Sequence, residues 1–147
     1  MNYYVTTSIP YVNGEPHIGF GMELVMADVL ARAARKQGKP VIYSTGTDEH
    51  GGKIAEKAKE NKLEPQAQAD QMSKKFEDLT KLLNISNDRF IRTTDKAHEQ
   101  RAQIIWKQLA KDIYKGKYIG MYCLGCEAYV TEATAKENKG ICPTTRM

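Results

Sequence analysis

The pattern of apolar and polar positions predicts a strand, a helix and a second strand in the first third of the chain. Residues 2–8 are rich in aromatic and β-branched side chains, as a buried strand requires. Apolar residues then recur every three or four positions from Met22 to Ala33, which predicts a helix over residues 18–37. Gly38 follows as a typical helix stop, and residues 40–46 form the second predicted strand.

The middle of the chain repeats this alternation. A short helix is predicted around residues 54–58, and a longer one begins near Pro65. Its predicted apolar stripe contains Met72, Phe76, Leu79, Leu82 and Leu83. Residues 89–93 form a third predicted strand, and Thr94 and Asp95 precede a fourth helix. The core-facing residues predicted for that helix are Ile105, Leu109 and Ile113. Strands that alternate with helices predict an α/β fold with a Rossmann-like parallel sheet.

The composition of the chain changes after residue 113. Tyrosines and glycines replace the helical pattern, and three cysteines follow within the last 25 residues. We therefore predict two domains, residues 1–113 and residues 114–147. No internal repeat connects them.

Composition and charge limit the function classes. A hydrophobic content of 41% and a charged content of 27% are typical of a globular protein. The formal charge of +4 is compatible with a polyanionic partner but does not require one. No apolar run reaches transmembrane length and no signal-peptide pattern is present, so we expect no membrane association. An odd cysteine count with a Cys-x-x-Cys pair favours a reducing, cytoplasmic setting over a disulfide framework.

The loop between the first strand and the first helix is the strongest candidate site. Asn13 and Gly14 favour a tight turn, and Pro16 suits the approach to a helix. His17 is then predicted at the first turn, where unpaired N–H groups and the helix dipole favour an anion. Gly19 leaves space for a close approach by a planar ring or a phosphate. These features are typical of a loop that binds a nucleotide by its phosphates.

Residues 8–20 resemble the Pro-Tyr-x-Asn-Gly-x-Pro-His-x-Gly-His segment of the methionyl-tRNA synthetase family, a branch of the class I aminoacyl-tRNA synthetases. A second matching stretch, residues 45–51, follows at the spacing of that family. The resemblance implies the N-terminal half of the catalytic domain, followed by the start of a zinc-knuckle connective insertion. It also implies a methionine–tRNA ligase that uses methionine, ATP, Mg²⁺ and tRNA.

The resemblance assigns roles to individual residues. His17 is the implied catalytic residue. ATP binding is implied for Asn13, Gly14, His17 and Gly19, and methionine binding for Ile9, Tyr11, Asp48 and His50. From the residues alone, Asp48 could instead cap the following helix, and His50 could be a helix-start histidine. Ile9 and Tyr11 could instead be core residues.

Two stretches depart from the family pattern. Phe20 stands where the family has its second histidine, and loss of that donor would cost about 2–4 kcal/mol if nothing replaced it. Residues 71–75 look like the phosphate-binding Lys-Met-Ser-Lys-Ser loop, but they lie inside a predicted helix. We interpret Ser73, Lys74 and Lys75 as a solvated helix face. The family's own loop comes later than residue 147, so we expect the chain alone to be inactive.

Cys123, Cys126 and Cys142 have the spacing that begins a zinc knuckle, and a tetrahedral zinc site needs four ligands. Thr145 stands at the fourth place, and threonine is a poor zinc ligand. The sequence leaves three alternatives open. Water could complete the site, His98 or Glu127 could contribute, or the knuckle could be unable to bind zinc.

Three functions remain open on the sequence. The first is a methionine–tRNA ligase, with a synthetase for leucine, isoleucine, valine or cysteine as a near variant. The second is a non-catalytic module that keeps the nucleotide loop or the zinc knuckle as a binding surface. The third is a small nucleotidylyltransferase, which shares the histidine chemistry.

Overall fold

The computed structural model describes residues 2–146. It consists of two compact units, of which the first extends to Ile105 and the second begins at Trp106. The predicted boundary after residue 113 stays a prediction. No helix among residues 2–146 is long and apolar enough to cross a membrane.

The first unit is built on a three-stranded parallel sheet. Strand β1 (Tyr3–Thr6) pairs with β2 (Val41–Thr47), and β2 pairs with β3 (Arg89–Arg92), so that β2 is central. The predicted α/β fold with a parallel Rossmann-like sheet is confirmed. Because all three strands run the same way, the loops that leave their carboxyl ends meet at one edge, where open α/β sheets bind ligands.

Within residues 2–146, helix α1 (Ile18–Lys36) connects β1 to β2, and helices α2 (Gly52–Glu60) and α3 (Pro65–Leu82) connect β2 to β3. Helix α4 (Lys96–Gln108) follows β3. Helix α1 ends as the sequence predicts, because Gly38 adopts a positive φ of 73° that a side chain would disfavour. Pro65 occupies the first turn of α3, where its missing N–H leaves no partner unsatisfied.

Two groups of buried side chains form the core of the first unit. One joins the start of α1 to α2 and α3 and consists of Val12, Phe20, Leu24, Ile54, Ala69 and Phe76. The other lies between α1 and the sheet and consists of Val5, Ala27, Ala31 and Tyr43. The Tyr43 hydroxyl donates to the Leu24 carbonyl at 3.1 Å, and burial raises the pKa of Tyr43 to about 12. Tyr43 therefore stays neutral and anchors β2 to α1.

The apolar stripe of α1 lies largely outside this core. Met22, Val25 and Met26 are 62%, 43% and 60% exposed. The buried face of α1 consists instead of Phe20, Leu24, Asp28 and the alanines at positions 27, 31 and 34. Leu82, which belongs to the predicted apolar stripe of α3, is also exposed. Helical spacing identified both helices, but it did not identify the buried face, because alanines on α1 pack closely enough to the sheet to replace larger side chains.

The prediction for α4 was wrong in the same respect. The predicted core residues Ile105, Leu109 and Ile113 are all exposed, and α4 ends before the last two. No residue of α4 is buried within the described chain. The helix forms at the predicted place without a core for its apolar side to pack against.

The second unit contains a small hairpin and a short helix. Strand β4 (Met121–Cys123) pairs antiparallel with β5 (Ala128–Val130), and α5 (Glu132–Glu137) follows. Thr131 caps α5 by accepting a hydrogen bond from the Thr134 N–H at 3.2 Å. The hairpin carries Cys123 and Cys126, and the segment after α5 carries Cys142.

Candidate nucleotide and amino-acid site

The two candidate loops are hydrogen-bonded to each other at the carboxyl edge of the sheet. The Asp48 N–H donates to the Pro10 carbonyl at 2.9 Å, and the Val12 N–H donates to the Asp48 carbonyl at 3.3 Å. Val12 is fully buried beneath them. The β1 loop and the β2 loop therefore form one hydrogen-bonded surface rather than two independent segments.

His17 is the N-cap residue of α1. Its backbone is extended, and its Nδ1 accepts a hydrogen bond from the Phe20 N–H at 3.3 Å. A neutral imidazole that accepts at Nδ1 carries its proton on Nε2. His17 therefore presents an N–H donor at the positive end of a 19-residue helix. This arrangement suits a phosphate oxygen.

Gly19 makes the His17 conformation possible. A β-carbon at position 19 would lie 3.0 Å from both Cε1 and Nδ1 of the His17 ring. That distance is too short for an ordinary contact, so the ring would have to move away from its N-cap position. The missing β-carbon of Gly19 therefore makes room for the His17 ring, and the role of Gly19 in ATP binding stays a prediction.

Phe20 stands at the position of the family's second histidine, but its side chain is part of the core. It is 4% exposed, and its ring packs edge-to-face on Phe76 with centroids 5.4 Å apart. The side chain therefore gives the loop a firm attachment to α3 but supplies no donor to a ligand. A phenylalanine side chain has no hydrogen-bond donor, as the sequence analysis states. At this position it contributes packing against Phe76 instead.

The remaining predicted residues of the first loop are open to solvent. Asn13 and Gly14 lie in an exposed turn, and no atom lies within 4 Å of where a Gly14 β-carbon would be. Ile9 and Tyr11 are 42% and 40% exposed, which rules out the core alternative for both. An apolar chain and an aromatic ring at this edge are suitable walls for a thioether side chain.

Asp48 and His50 flank the loop that leaves β2. The N-cap of α2 is Gly51, and no side chain caps that helix, so Asp48 does not have the capping role that the sequence left open. Instead the Asp48 carboxylate accepts weakly from the Thr93 hydroxyl and from the His50 N–H, both at 3.5 Å. The His50 Nε2 lies 3.3 Å from the Thr93 carbonyl. Asp48 is half-buried and can still receive an ammonium group.

A buried ion pair lies directly beneath this loop, and the sequence analysis missed it. Both oxygens of Glu49 accept from Arg92, at 2.8 Å each, and the Glu49 side chain is completely buried. Arg92 also contacts Asp70 on α3 at 2.5 Å. The Glu49 N–H donates to the Thr93 hydroxyl at 2.8 Å. The network ties β2, β3 and α3 together behind Asp48 and His50.

Hydrogen bonding outweighs burial in setting the charge of Glu49. Burial raises the pKa of this carboxyl, but hydrogen bonds from Arg92, Thr94 and Thr47 bring the pKa below its usual range. Glu49 is therefore ionised at neutral pH. The only sequence signal was the place of Glu49 between Asp48 and His50 in the matching stretch.

Ser73 corrects the interpretation of residues 71–75 as a wholly solvated face. It is 2% exposed, and its hydroxyl lies 3.0 Å from the Thr47 hydroxyl, next to Glu49. Lys74 and Lys75 are on the surface as predicted and pair with Asp78 and Glu15. The ion pair between Lys75 and Glu15 connects α3 to the first candidate loop. Residues 71–75 lie inside α3, as the sequence predicts, and do not form a loop.

The three cysteines of the second unit form one cluster. Their sulfur atoms all lie within 4.8 Å of one another, and the Cys126 and Cys142 sulfurs are 3.4 Å apart. Thr145 lies beside them, with its hydroxyl oxygen 3.1 Å from the Cys123 sulfur. Hydrogen bonds from the side chain and backbone of Thr145 lower the pKa of Cys142 to about 6. Such a set of sulfur atoms is suited to a thiophilic cation.

A parallel sheet with a histidine-capped helix after its first strand and an acidic loop after its second is typical of a nucleotide-binding α/β fold. The family model described as tRNA synthetases class I (M) matches residues 3–147. The chain therefore belongs to this methionine branch of the class I tRNA synthetase family.

Individual relatives agree with this assignment. The methionine–tRNA ligase of Rhizobium meliloti is 46% identical over 132 residues, which is 88% of this chain and 26% of that protein. The corresponding ligase of Lactiplantibacillus plantarum is 47% identical over 92% of this chain and 20% of its own length. This chain spans about a fifth to a quarter of these curated relatives.

Solved structures give the same result. The methionyl-tRNA synthetase of Mycobacterium tuberculosis bound by methionyl-adenylate superposes with a TM-score of 0.85 and 38% identity, over 90% of this chain and 27% of that chain. A leucyl-tRNA synthetase complex from Agrobacterium radiobacter reaches a TM-score of 0.70 at 21% identity, and this similarity shows the shared fold alone.

Proposed function

We propose that this chain forms the adenylate-forming side of a methionine–tRNA ligase, the enzyme that activates methionine with ATP and transfers it to tRNA. The observation that carries the proposal is the backbone pairing of the His17 loop with the Asp48 loop at one edge of the sheet. One loop presents an N–H donor at a helix start, and the other presents a carboxylate. Adenylate formation needs a group for each of its two substrates.

His17 is assigned to the phosphates of ATP. In the reaction the methionine carboxylate attacks the α-phosphorus, and pyrophosphate leaves as the bond between the α-phosphate and the β-phosphate breaks. Negative charge on the phosphate oxygens is stabilised by donors already in position. The N-cap hydrogen bond holds the His17 ring in place, so the side chain needs little reorganisation to donate from Nε2 to a phosphate oxygen. The backbone of Asn13, Gly14 and Gly19 lies in the same loop and completes the assigned ATP side.

Asp48 is assigned to the methionine α-ammonium group. Its carboxylate is half-buried and accepts two long hydrogen bonds, at 3.5 Å each, so it can exchange them for a stronger charge-assisted contact. Ile9, Tyr11 and His50 are the assigned surroundings of the side chain. The exposed positions of Ile9 and Tyr11 support this assignment.

The family implies further components. Mg²⁺ would neutralise charge on the triphosphate, and tRNA would be the acceptor of the methionyl group. The mildly basic charge of +4 is compatible with both a nucleotide and tRNA. We place the protein in the cytoplasm, in keeping with its free thiols.

For the 147-residue chain by itself, we expect weak nucleotide binding and no detectable methionine-dependent exchange of pyrophosphate into ATP. The described residues supply one wall of the site, and Phe20 has no donor to offer. Titration calorimetry with ATP would measure binding, and isotope exchange would measure activation. His17→Ala should weaken ATP binding about tenfold, in line with about 1.5 kcal/mol for a hydrogen bond to a charged group.

His98→Ala is the matched control, because His98 is an exposed histidine outside both loops. It should leave ATP binding unchanged. Equal losses in the two variants would contradict the role of His17. Robust exchange that disappears in both His17→Ala and Asp48→Ala would show that the isolated chain is a working enzyme, against our expectation.

A non-catalytic binding module is the second candidate, and Phe20 favours it. A buried phenylalanine at the second histidine position strengthens the packing of the loop at the expense of phosphate contacts. ATP binding without any dependence on Asp48, together with absent exchange when the rest of a related synthetase is supplied in trans, would support this candidate.

A further inference from the structure

Thr145 occupies a corner of the cysteine cluster. The Thr145 hydroxyl oxygen is 3.1 Å from the Cys123 sulfur, and Thr145 also hydrogen-bonds to Cys142. Two of the three sulfurs therefore face the same hydroxyl. Within residues 2–146, the metal-ligand group at this place consists of Cys123, Cys126 and Cys142 alone.

The spacing of these four atoms fits a tetrahedral ion. Zinc–sulfur bonds of about 2.3 Å put the sulfurs of a tetrahedral site about 3.8 Å apart, and a sulfur and an oxygen ligand about 3.5 Å apart. The sulfurs here lie within 4.8 Å of one another, with one pair at 3.4 Å. The distance of 3.1 Å between the Thr145 hydroxyl oxygen and the Cys123 sulfur is close to the sulfur–oxygen distance in such a site. Small side-chain rotations would bring all four atoms to these distances.

The four donors are not equivalent. A cysteine thiol loses its proton when it binds zinc, whereas a threonine hydroxyl keeps its proton and binds weakly. Three thiolates on Zn²⁺ give a net charge of −1, and the fourth position would carry a neutral oxygen. Zinc sites with three protein ligands and an oxygen at the fourth position are the ones that exchange ligands.

We propose that Cys123, Cys126 and Cys142 bind zinc through three thiolates, and that Thr145 leaves the fourth position to an exchangeable oxygen ligand that a small thiol can replace. In that exchange the sulfur of the incoming thiol bonds to zinc, its proton passes to solvent, and the oxygen ligand leaves. Neither Glu127 nor His98 contributes a ligand. The proposal stands independently of the adenylate-forming function.

Cobalt(II) substitution tests this proposal on the full chain, because each thiolate adds to the sulfur-to-cobalt charge-transfer band. We expect one cobalt per chain, with a band of three-thiolate intensity. Thr145→Cys should raise the band by about a third and tighten metal binding at least tenfold. Added 2-mercaptoethanol should shift the wild-type spectrum toward that of Thr145→Cys and leave the Thr145→Cys spectrum unchanged.

Three variants serve as controls. Thr145→Val keeps the shape of the side chain and removes the hydroxyl, and it should still bind cobalt and still respond to added thiol. Glu127→Gln and His98→Asn should match wild type. Circular dichroism would verify that each variant remains folded.

The proposal would be overturned by any of three results. The first is a wild-type spectrum without a thiolate band at millimolar cobalt. The second is a wild-type spectrum that already equals that of Thr145→Cys and ignores added thiol. The third is loss of the band in Glu127→Gln or His98→Asn, which would identify that residue as the fourth ligand.

Discussion

Gly46→Ala is expected to destabilise the first unit more than any other proposed substitution. Gly46 lies in the central strand β2 opposite Ile91 of β3. A β-carbon at position 46 would be 1.9 Å from the Ile91 carbonyl oxygen and 2.8 Å from the carbonyl carbon. Backbone atoms of a paired strand cannot move aside as a flexible side chain can, so the strands must separate. We expect a loss of at least about 3–4 kcal/mol, beyond the usual range for a single methyl group.

Urea unfolding followed by circular dichroism would measure this loss. Gly14→Ala is the matched control, because no atom lies within 4 Å of the position of its β-carbon. That variant should unfold within about 0.5 kcal/mol of wild type, as surface substitutions usually do. A Gly46→Ala protein as stable as Gly14→Ala would mean that β2 and β3 are not as close as described.

The sheet could be predicted from the sequence because the signals for its strands and helices lie in neighbouring residues. Apolar strand segments, helix periodicity and Gly38 each depend on a few neighbouring residues, and all three strands were found within one or two residues of their predicted ends. Gly46 itself carried no signal beyond its motif, because its importance comes from Ile91, which is 45 positions away in the chain. Contacts of that kind depend on strand order, which composition does not reveal.

The candidate site was predictable in outline for a different reason. His17 and Asp48 stood out because each follows a predicted strand, and parallel strands bring such loops to one edge. The buried residues that pack behind the two loops were not predictable. Ser73 resembled a surface residue and is buried, and Glu49 and Arg92 are charged residues that only the fold pairs. The exposed apolar side of α4 shows the opposite error, in which helical periodicity was read as burial.

Glu49→Gln is expected to have the second-largest effect. The substitution keeps the shape of the side chain but leaves Arg92 without its buried carboxylate. Breaking one side of a buried ion pair typically costs about 3–5 kcal/mol. Because Arg92 is partly exposed and retains Asp70, we expect about 2–4 kcal/mol in urea unfolding at pH 7. Glu60→Gln is the control, since the Lys57–Glu60 pair is solvent-exposed and should contribute less than about 1 kcal/mol.

The effect of Glu49→Gln should also depend on pH, and the pKa of Glu49 fixes the sign. In the folded chain this pKa is below the ordinary value of 4.5, so the unfolded chain takes up a proton first as the pH falls. The contribution of Glu49 to stability is therefore complete above about pH 4.5 and declines below it. The free-energy difference between wild type and Glu49→Gln should shrink on acidification in that range. A difference that stays constant from pH 7 to pH 3 would show that the charge of Glu49 is not what stabilises the loop behind Asp48 and His50.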